Sequence, residues 1–291
     1  MSMGSTNTTG QLPRRTSRRL RELIEQPGII RSLAPHDAFT AKVMEQAGLP
    51  LLFLGGFGAS ASAFGLPDLG LLGLAEMAEA ARRMTGAVSI PVIVDGDTGY
   101  GGIPNVRRAV REFERSGAAG MLLEDQVFPK RCGHFAGKQV IPVEEMIVKL
   151  KAALEVRQDP DFVLIARTDA RAVEGLDSAI ERALRYAEIG ADVIFVEAPQ
   201  SRDELARIAR DIPKPQLANM LVGGATPILP ASELQELGFK IVVSPIESLA
   251  ITAVAVEKLA NAMLRDGRVD GLRAEMSSFD SLKQLLNVDR L

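Results

Sequence analysis

Residues 161–199 read DFVLIARTDARAVEGLDSAIERALRYAEIGADVIFVEAP. A short apolar run at 162–166 gives way to Arg167 and Asp169, an amphipathic stretch closes on Gly190, and a second apolar run at 193–196 ends in Glu197. Short apolar runs of this kind suit buried parallel strands, and a helix stopped by glycine leads back to the next one. Working outward, the same unit recurs eight times from residue 28 onward, with strands at 29–33, 51–54, 92–94, 120–123, 162–166, 193–196, 216–218 and 240–243. Pro104 and Pro142 suit first helical positions, Ser201 with Glu204 suits a capping box, and Gly48, Gly117, Gly190 and Gly238 suit helix stops. Eight βα units in about 220 residues predict an α/β protein built as a closed (β/α)8 TIM barrel, with a doubly wound open sheet as the alternative.

The composition agrees. The chain has 291 residues, 46% hydrophobic and 24% charged, which is a globular balance and a sufficient length for one barrel. A net charge of −3, no tryptophan and two tyrosines offer neither a basic surface nor stacking platforms, so nucleic acid is excluded as a partner. One cysteine cannot form an internal disulfide, and no N-terminal segment has the pattern of a signal peptide, which makes the cytoplasm the expected location. The uncharged stretch 47–67 is interrupted by Pro50, Gly55, Gly56, Gly58 and Gly65; it reads as a short strand entering a glycine-rich loop, and no membrane span is expected. Residues 1–13 are polar and aperiodic and read as a disordered tail; 14–291 read as a single barrel domain with a C-terminal helical extension. Arg14, Arg15, Arg18, Arg19 and Arg21 read as the solvated face of a first helix.

In a barrel of this kind the chemistry sits just past the strand ends. Those positions carry Asp37, Asp95, Asp97, Glu124, Asp125, Arg167, Asp169, Glu197 and Asn219. Asp95, Asp97 and Glu124 form a set of oxygen donors suited to Mg2+ or Mn2+, and His36, His134 and Cys132 are too few for a usual zinc site. Arg167 has the planar fork that matches a substrate carboxylate. Cys132 lies between Arg131 and Gly133, beside Lys130 and His134, a setting that favours the thiolate and equips the sulfur for proton transfer. Gly133 and Gly137 suit a loop that closes over a ligand. The run Gly56-Phe57-Gly58-Ala59-Ser60-Ala61 fits a dinucleotide fingerprint poorly; Gly55 and Gly56 serve better as backbone donors to an anion.

Val94-Asp95-Gly96-Asp97-Thr98-Gly99, Leu123-Glu124-Asp125-Gln126, Lys130-Arg131-Cys132-Gly133-His134 and Ala166-Arg167-Thr168-Asp169-Ala170 resemble motifs of the isocitrate lyase and phosphoenolpyruvate mutase superfamily. The likeness extends through Val196-Glu197-Ala198-Pro199 and Ala218-Asn219-Met220 and covers residues 20–285, and the cysteine run is similar to the signature of the carbon–carbon lyase branch. The resemblance implies a homotetramer, a dimer of dimers with the eighth helix exchanged between paired subunits, which uses Mg2+ and forms an enolate or aci-carboxylate intermediate. It implies Asp95 as direct metal ligand, with Asp97 and Glu124 acting largely through water. It implies Arg167 and the backbone at Gly55, Gly56 and Phe57 as holders of the α-keto product, and Cys132 as the proton donor, with Lys130, His134 and Glu197 around it. Phe53, Asp68, Gly133, Asn219 and Leu221 complete the implied contacts to a small-molecule carboxylate substrate.

Three positions depart from the 2-methylisocitrate lyases. Phe53 and Gly55 stand where those enzymes have tyrosine and serine, so a phenol does not deprotonate the substrate hydroxyl here, and Ala250 stands where they have an arginine. Asp-Gly-Asp-Thr-Gly and Val-Glu-Ala-Pro look closer to the 2,3-dimethylmalate lyase and petal death protein group. The activity implied is cleavage of a 2-hydroxy dicarboxylate into an α-keto acid and a carboxylic acid; phosphonomutase chemistry and a non-catalytic carboxylate-binding barrel are the alternatives.

Overall fold

Each expected apolar run forms a strand: β1 (Ile30–Leu33), β2 (Leu51–Leu54), β3 (Val92–Asp95), β4 (Gly120–Glu124), β5 (Val163–Thr168), β6 (Val193–Val196), β7 (Leu217–Asn219) and β8 (Ile241–Ser244). The computed structural model describes residues 16–131, 133 and 137–288. All strand pairs are parallel, in the order β6-β5-β4-β3-β2-β1-β8-β7. A parallel bridge between Ile194 and Gln216 joins the two ends, so the sheet closes as a (β/α)8 barrel rather than remaining open. Alternate residues fill its inside, among them Phe53, Ile93, Leu122, Ile165 and Phe195, while the opposite faces pack against the surrounding helices.

Before the barrel stands α1 (Thr16–Glu25); α2 (Ala38–Gln46), α3 (Gly56–Phe64), α4 (Leu74–Ala87), α5 (Ile103–Arg115) and α6 (Val143–Val156) follow β1 to β4. After β5 come α7 (Ala170–Val173) and α8 (Leu176–Ile189), then α9 (Arg202–Asp211), α10 (Ala231–Leu237), α11 (Glu247–Asp266) and, past a short 3-10 segment, α12 (Phe279–Leu285). The expected tail at 1–13, with Arg14 and Arg15, lies outside the described residues. The basic face of α1 is only partly solvated: fully buried Leu20 closes the lower end of the barrel, and Arg21 donates to the Asp161 and Phe162 carbonyls and pairs with Asp192 at 3.0 Å.

The local punctuation differs in detail. Pro104 is the second residue of α5 and Pro142 caps α6. Ser201 accepts from the Glu204 N–H at 3.1 Å, but the Glu204 carboxylate turns to the Gln200 N–H and to Arg171, so only half of the capping box forms. The glycine-rich segment expected as a loop is the helix α3, which ends at Gly65 with φ 62°. Its small residues are poor helix formers in isolation, yet they allow close packing: a Cβ on Gly58 would stand 3.4 Å from the His36 Cα. Asp37 is a helix cap, its carboxylate accepting from the Thr40 N–H at 2.7 Å.

Helix α11 is the exception to the layered packing. Of its 20 residues only Ala262 is buried, and Ile251 and Val254 are 71% and 67% exposed. Among the described residues no helix is long and apolar enough to cross a membrane.

Candidate active site

The upper ends of β2 to β8 converge on a cavity of about 240 Å³. At β3 the chain runs Asp95-Gly96-Asp97 through a turn that needs a glycine, because a Cβ on Gly96 would stand 2.5 Å from the Leu122 carbonyl oxygen. Asp97 takes φ 46°, an uncommon value for a non-glycine residue, and is held by its N–H to Asp95 Oδ1 at 3.0 Å and its carbonyl to the Glu124 N–H at 2.9 Å. Asp95 Oδ2 also accepts from the Gly56 N–H, at the start of α3, at 3.5 Å. Lys130 Nζ reaches Asp68 Oδ1 at 2.5 Å and Asp97 Oδ1 at 2.8 Å, bridging the loop after α3 to the β3 turn.

Arg167 rises from β5. Its Nε and Nη2 bind Asp169 at 2.8 and 3.0 Å, Nε lies 3.5 Å from Glu124, Nη2 lies 3.3 Å from Glu197, and the guanidinium sits 5.2 Å from the centre of the Phe195 ring. One edge of the fork expected for a substrate is thus engaged by Asp169, although Arg167 still lines the cavity. Lys138 joins from the loop after β4, with Nζ 2.7 Å from Asp169 Oδ1 and 2.5 Å from the Gly133 carbonyl. Asn219 Nδ2 lies 3.5 Å from Glu197 Oε2.

Asp68, Asp95, Asp97, Glu124, Asp169 and Glu197 are all buried here, and they outnumber Lys130, Lys138 and Arg167 seated among them. Burial and the neighbouring charges shift these carboxyl groups from their ordinary values. Burial pushes the Asp97 carboxyl up to about 7; Lys130 opposes the shift, and Asp95 and Asp68 add to it. Burial likewise holds Glu124 well above the usual carboxylate range, with Arg167 opposing and Asp169 adding. Asp169 is lowered, because Arg167 and Lys138 outweigh its burial. Glu124 Oε1 is buried with no hydrogen-bond partner. Among the described residues no three His, Cys, Asp or Glu side chains converge as a direct ligand set for one ion. The cluster nevertheless suits a divalent cation held by few direct contacts and through water, since such an ion supplies the charge it lacks.

The family profile for phosphoenolpyruvate phosphomutase matches residues 20–264. The chain belongs to the phosphoenolpyruvate mutase/isocitrate lyase superfamily. It is 42% identical to the 2,3-dimethylmalate lyase of Eubacterium barkeri over 95% of this chain and 96% of that one. It is 43% identical to a 2-methylisocitrate lyase of Bacillus subtilis over 86% and 82% of the two chains. Among solved structures, oxaloacetate acetylhydrolase with 3,3-difluorooxalacetate superposes with a TM-score of 0.90 at 32% identity, covering 96% of each chain. 2,3-Dimethylmalate lyase superposes with a TM-score of 0.89 at 35% identity, covering 94% and 92%. Phosphonopyruvate hydrolase, solved with oxalate and Mg2+, gives 0.85 at 31% identity, covering 94% and 96%.

In this superfamily member the expected substrate-contact residues Phe53, Gly55, Gly56, Phe57, Asp68, Gly133, Asn219 and Leu221 all line the cavity, with Lys130, Arg167 and Glu197. Asp95 and Glu124 line it as well, whereas Asp97 stands behind them on Lys130. Cys132 and His134 lie outside the described residues. Ala250 is exposed on α11 and does not line the cavity. Sequence reasoning left out Arg131, Phe195, Leu217, Val243 and Pro245, which also line it. Strand alternation carries the signal for Phe195, Leu217 and Val243, whose side chains point into the barrel near its upper end. Asp125 is not part of the cavity wall: it accepts from Tyr186 Oη and from the Asp169 N–H, both at 2.9 Å, and pairs with Arg182.

Proposed function

We propose that this enzyme is a Mg2+-dependent carbon–carbon lyase that splits the C2–C3 bond of an alkyl-substituted malate into an α-keto acid and a second carboxylic acid. The observation that carries the reading is the mixed lining of the cavity, where the charged Arg167, Glu197, Asp95 and Glu124 meet the apolar Phe53, Leu221, Val243 and Ile246. Its support is strengthened by the 42% identity to 2,3-dimethylmalate lyase.

Asp95 would hold the metal directly, with Asp97 and Glu124 acting through water; Mn2+ fits the same donors. A bound divalent cation would stabilise negative charge on the α-keto side of the breaking bond. Arg167 would grip the carboxylate there, with the backbone N–H groups at Gly55, Gly56 and Phe57 as further donors. Glu197, 3.3 Å from Arg167 and 3.5 Å from Asn219, orients both side chains. Cys132, with Lys130 and His134 in the same run, would deliver the proton to the carbanionic carbon of the departing acid. Phe53 cannot serve as the base, so another group removes the hydroxyl proton. The exposed apolar face of α11 favours assembly, and we take the functional form to be a cytoplasmic homotetramer with that helix exchanged between paired subunits.

Substrate choice follows from the apolar residues in the lining, Phe53, Leu221, Val243 and Ile246. A third carboxylate placed there would lose its water without a paired cation, at several kcal/mol, which lowers kcat/KM by about two orders of magnitude. 2,3-Dimethylmalate and 2-methylisocitrate both yield pyruvate on C2–C3 cleavage, so one coupled assay compares them. The first is expected to give the higher kcat/KM. An equal or higher value for 2-methylisocitrate would refute the ranking and assign its third carboxylate to Arg131, which also lines the cavity. Formation of a new C–P bond from a phosphoenolpyruvate-type substrate, with no keto acid released from any hydroxy diacid, would favour phosphonomutase chemistry instead.

A further inference from the structure

We propose that Lys138 is a positioning residue that keeps Arg167 able to grip a substrate carboxylate. The inference rests on the role given to Arg167 above. Arg167 lies within 3.5 Å of three carboxylates, those of Asp169, Glu197 and Glu124. Left to itself, a single guanidinium so surrounded is over-compensated and presents no net positive charge to an incoming anion. The side chain of Lys138 is 3% exposed and places Nζ 2.7 Å from Asp169 Oδ1, the oxygen that Arg167 Nη2 also reaches at 3.0 Å. Two cations therefore share one carboxylate, and Lys138 cuts the excess of negative charge around Arg167 from two to one. The backbone of Asp169 is anchored by its N–H on Asp125 Oδ1 at 2.9 Å, which seats the residue beside both cations.

The same ammonium donates to the Gly133 carbonyl at 2.5 Å. Gly133 is pressed against Arg167: a Cβ there would stand 2.3 Å from Nη2. Lys138 thus holds two sides of the Arg167 guanidinium, its carboxylate partner and the backbone packed on its face. An arginine at 138 keeps the charge and can reach the same acceptors, whereas methionine keeps the length and loses both.

The test uses oxalate as the probe, titrated calorimetrically in saturating Mg2+ against wild type, K138M, K138R and R167M, with Mg2+ binding and thermal unfolding measured on each. Removing a charge-assisted contact of this kind is expected to weaken oxalate about tenfold or more in K138M, to raise KM for the hydroxy diacid more than it lowers kcat, and to leave Mg2+ affinity unchanged. K138R is expected to recover most of the oxalate affinity. Wild-type oxalate affinity in K138M, with binding lost in R167M, overturns the proposal and leaves the role of Arg167 standing. Undiminished oxalate binding in R167M overturns that role, and the proposal with it. A parallel loss of Mg2+ affinity in K138M overturns the proposal by routing the effect through the carboxylate cluster. Should K138M fail to fold, K138Q replaces it with a neutral side chain of similar length and the same outcomes apply.

Discussion

Replacing Gly133 with alanine tests whether the loop after β4 packs on Arg167 during turnover. The added methyl would stand 2.3 Å from Arg167 Nη2, 2.9 Å from Glu197 Cδ and 3.0 Å from Glu197 Cγ. Ordinary van der Waals contact begins at 3.4 Å, so one group must retreat by about 1 Å. A long side chain would normally yield, but Arg167 is held at both Nε and Nη2 by Asp169 and lies over the Phe195 ring. Either the guanidinium leaves its place or the loop withdraws from the cavity. A misplacement of about 1 Å in a positioned group costs about 100-fold in rate, so kcat/KM of Gly133→Ala is expected to fall by about two orders of magnitude. Because Gly133 is in a loop rather than in the barrel core, the far-UV spectrum and the unfolding temperature should change little. Steady-state release of keto acid from 2,3-dimethylmalate, read beside a thermal melt, separates the two effects. Wild-type kcat/KM in a folded Gly133→Ala enzyme would show that Gly133 and Arg167 do not stay in contact during the reaction, and the geometric argument would fall.

Metal dependence should carry a pH signature. Asp97 is raised from 3.8 to about 7, so its contribution to the stability of the metal-free fold is present in full below about pH 4 and is lost as pH rises to about 7. A divalent cation needs the ionised carboxylate, so the thermal stabilisation by Mg2+ should grow over that same window; a Mg2+ shift that is constant from pH 5 to 8 would contradict the assignment of the cluster. EDTA should abolish activity and Mg2+ restore it. Cys132→Ser should keep the fold and lose about 100-fold or more in kcat, the usual scale for a positioned proton-transfer group, whereas near-native turnover would remove the thiol from the mechanism. Light scattering should give a tetramer; a particle of 31.3 kDa at micromolar concentration would mean that the apolar face of α11 has no partner in solution.

The barrel was legible because its strands are buried on both faces and so appear as apolar runs, and their first residues fall within a residue of expectation throughout. The upper ends were read short. β3 continues to Asp95, β4 to Glu124, β5 to Thr168, β7 to Asn219 and β8 to Ser244. A hydrophobic pattern stops where the side chains turn polar, but the backbone ladder does not depend on side-chain polarity, and Glu124 pairs with Arg167 in register. Asp95, Glu124, Arg167 and Asn219, four of the residues that end the pattern, line the cavity, so for these strands the polar residue that stops the apolar run is also the marker of the site.

The connections within the site were less visible. Arg167 with Asp169 spans two residues, yet Lys138 meets Asp169 across 31, and Lys130 meets Asp68 across 62. Contacts at such separations leave no periodic trace in a single sequence, because they depend on which loops the closed barrel brings side by side. The segment after β2 departs from its local pattern for a different reason. Gly56 and Gly58 argue against a helix on propensity, yet α3 forms there, and a Cβ on Gly56 would stand 3.2 Å from Asp68 Oδ1 and 3.3 Å from Lys130 Nζ. A residue with a side chain would favour the helix locally and crowd the Asp68–Lys130 pair, and the Gly56 N–H is the donor that faces Asp95. The sequence accepts a weaker helix where its first turn must lie against the buried charges. A break in the local rules at that place is itself a marker of the cavity.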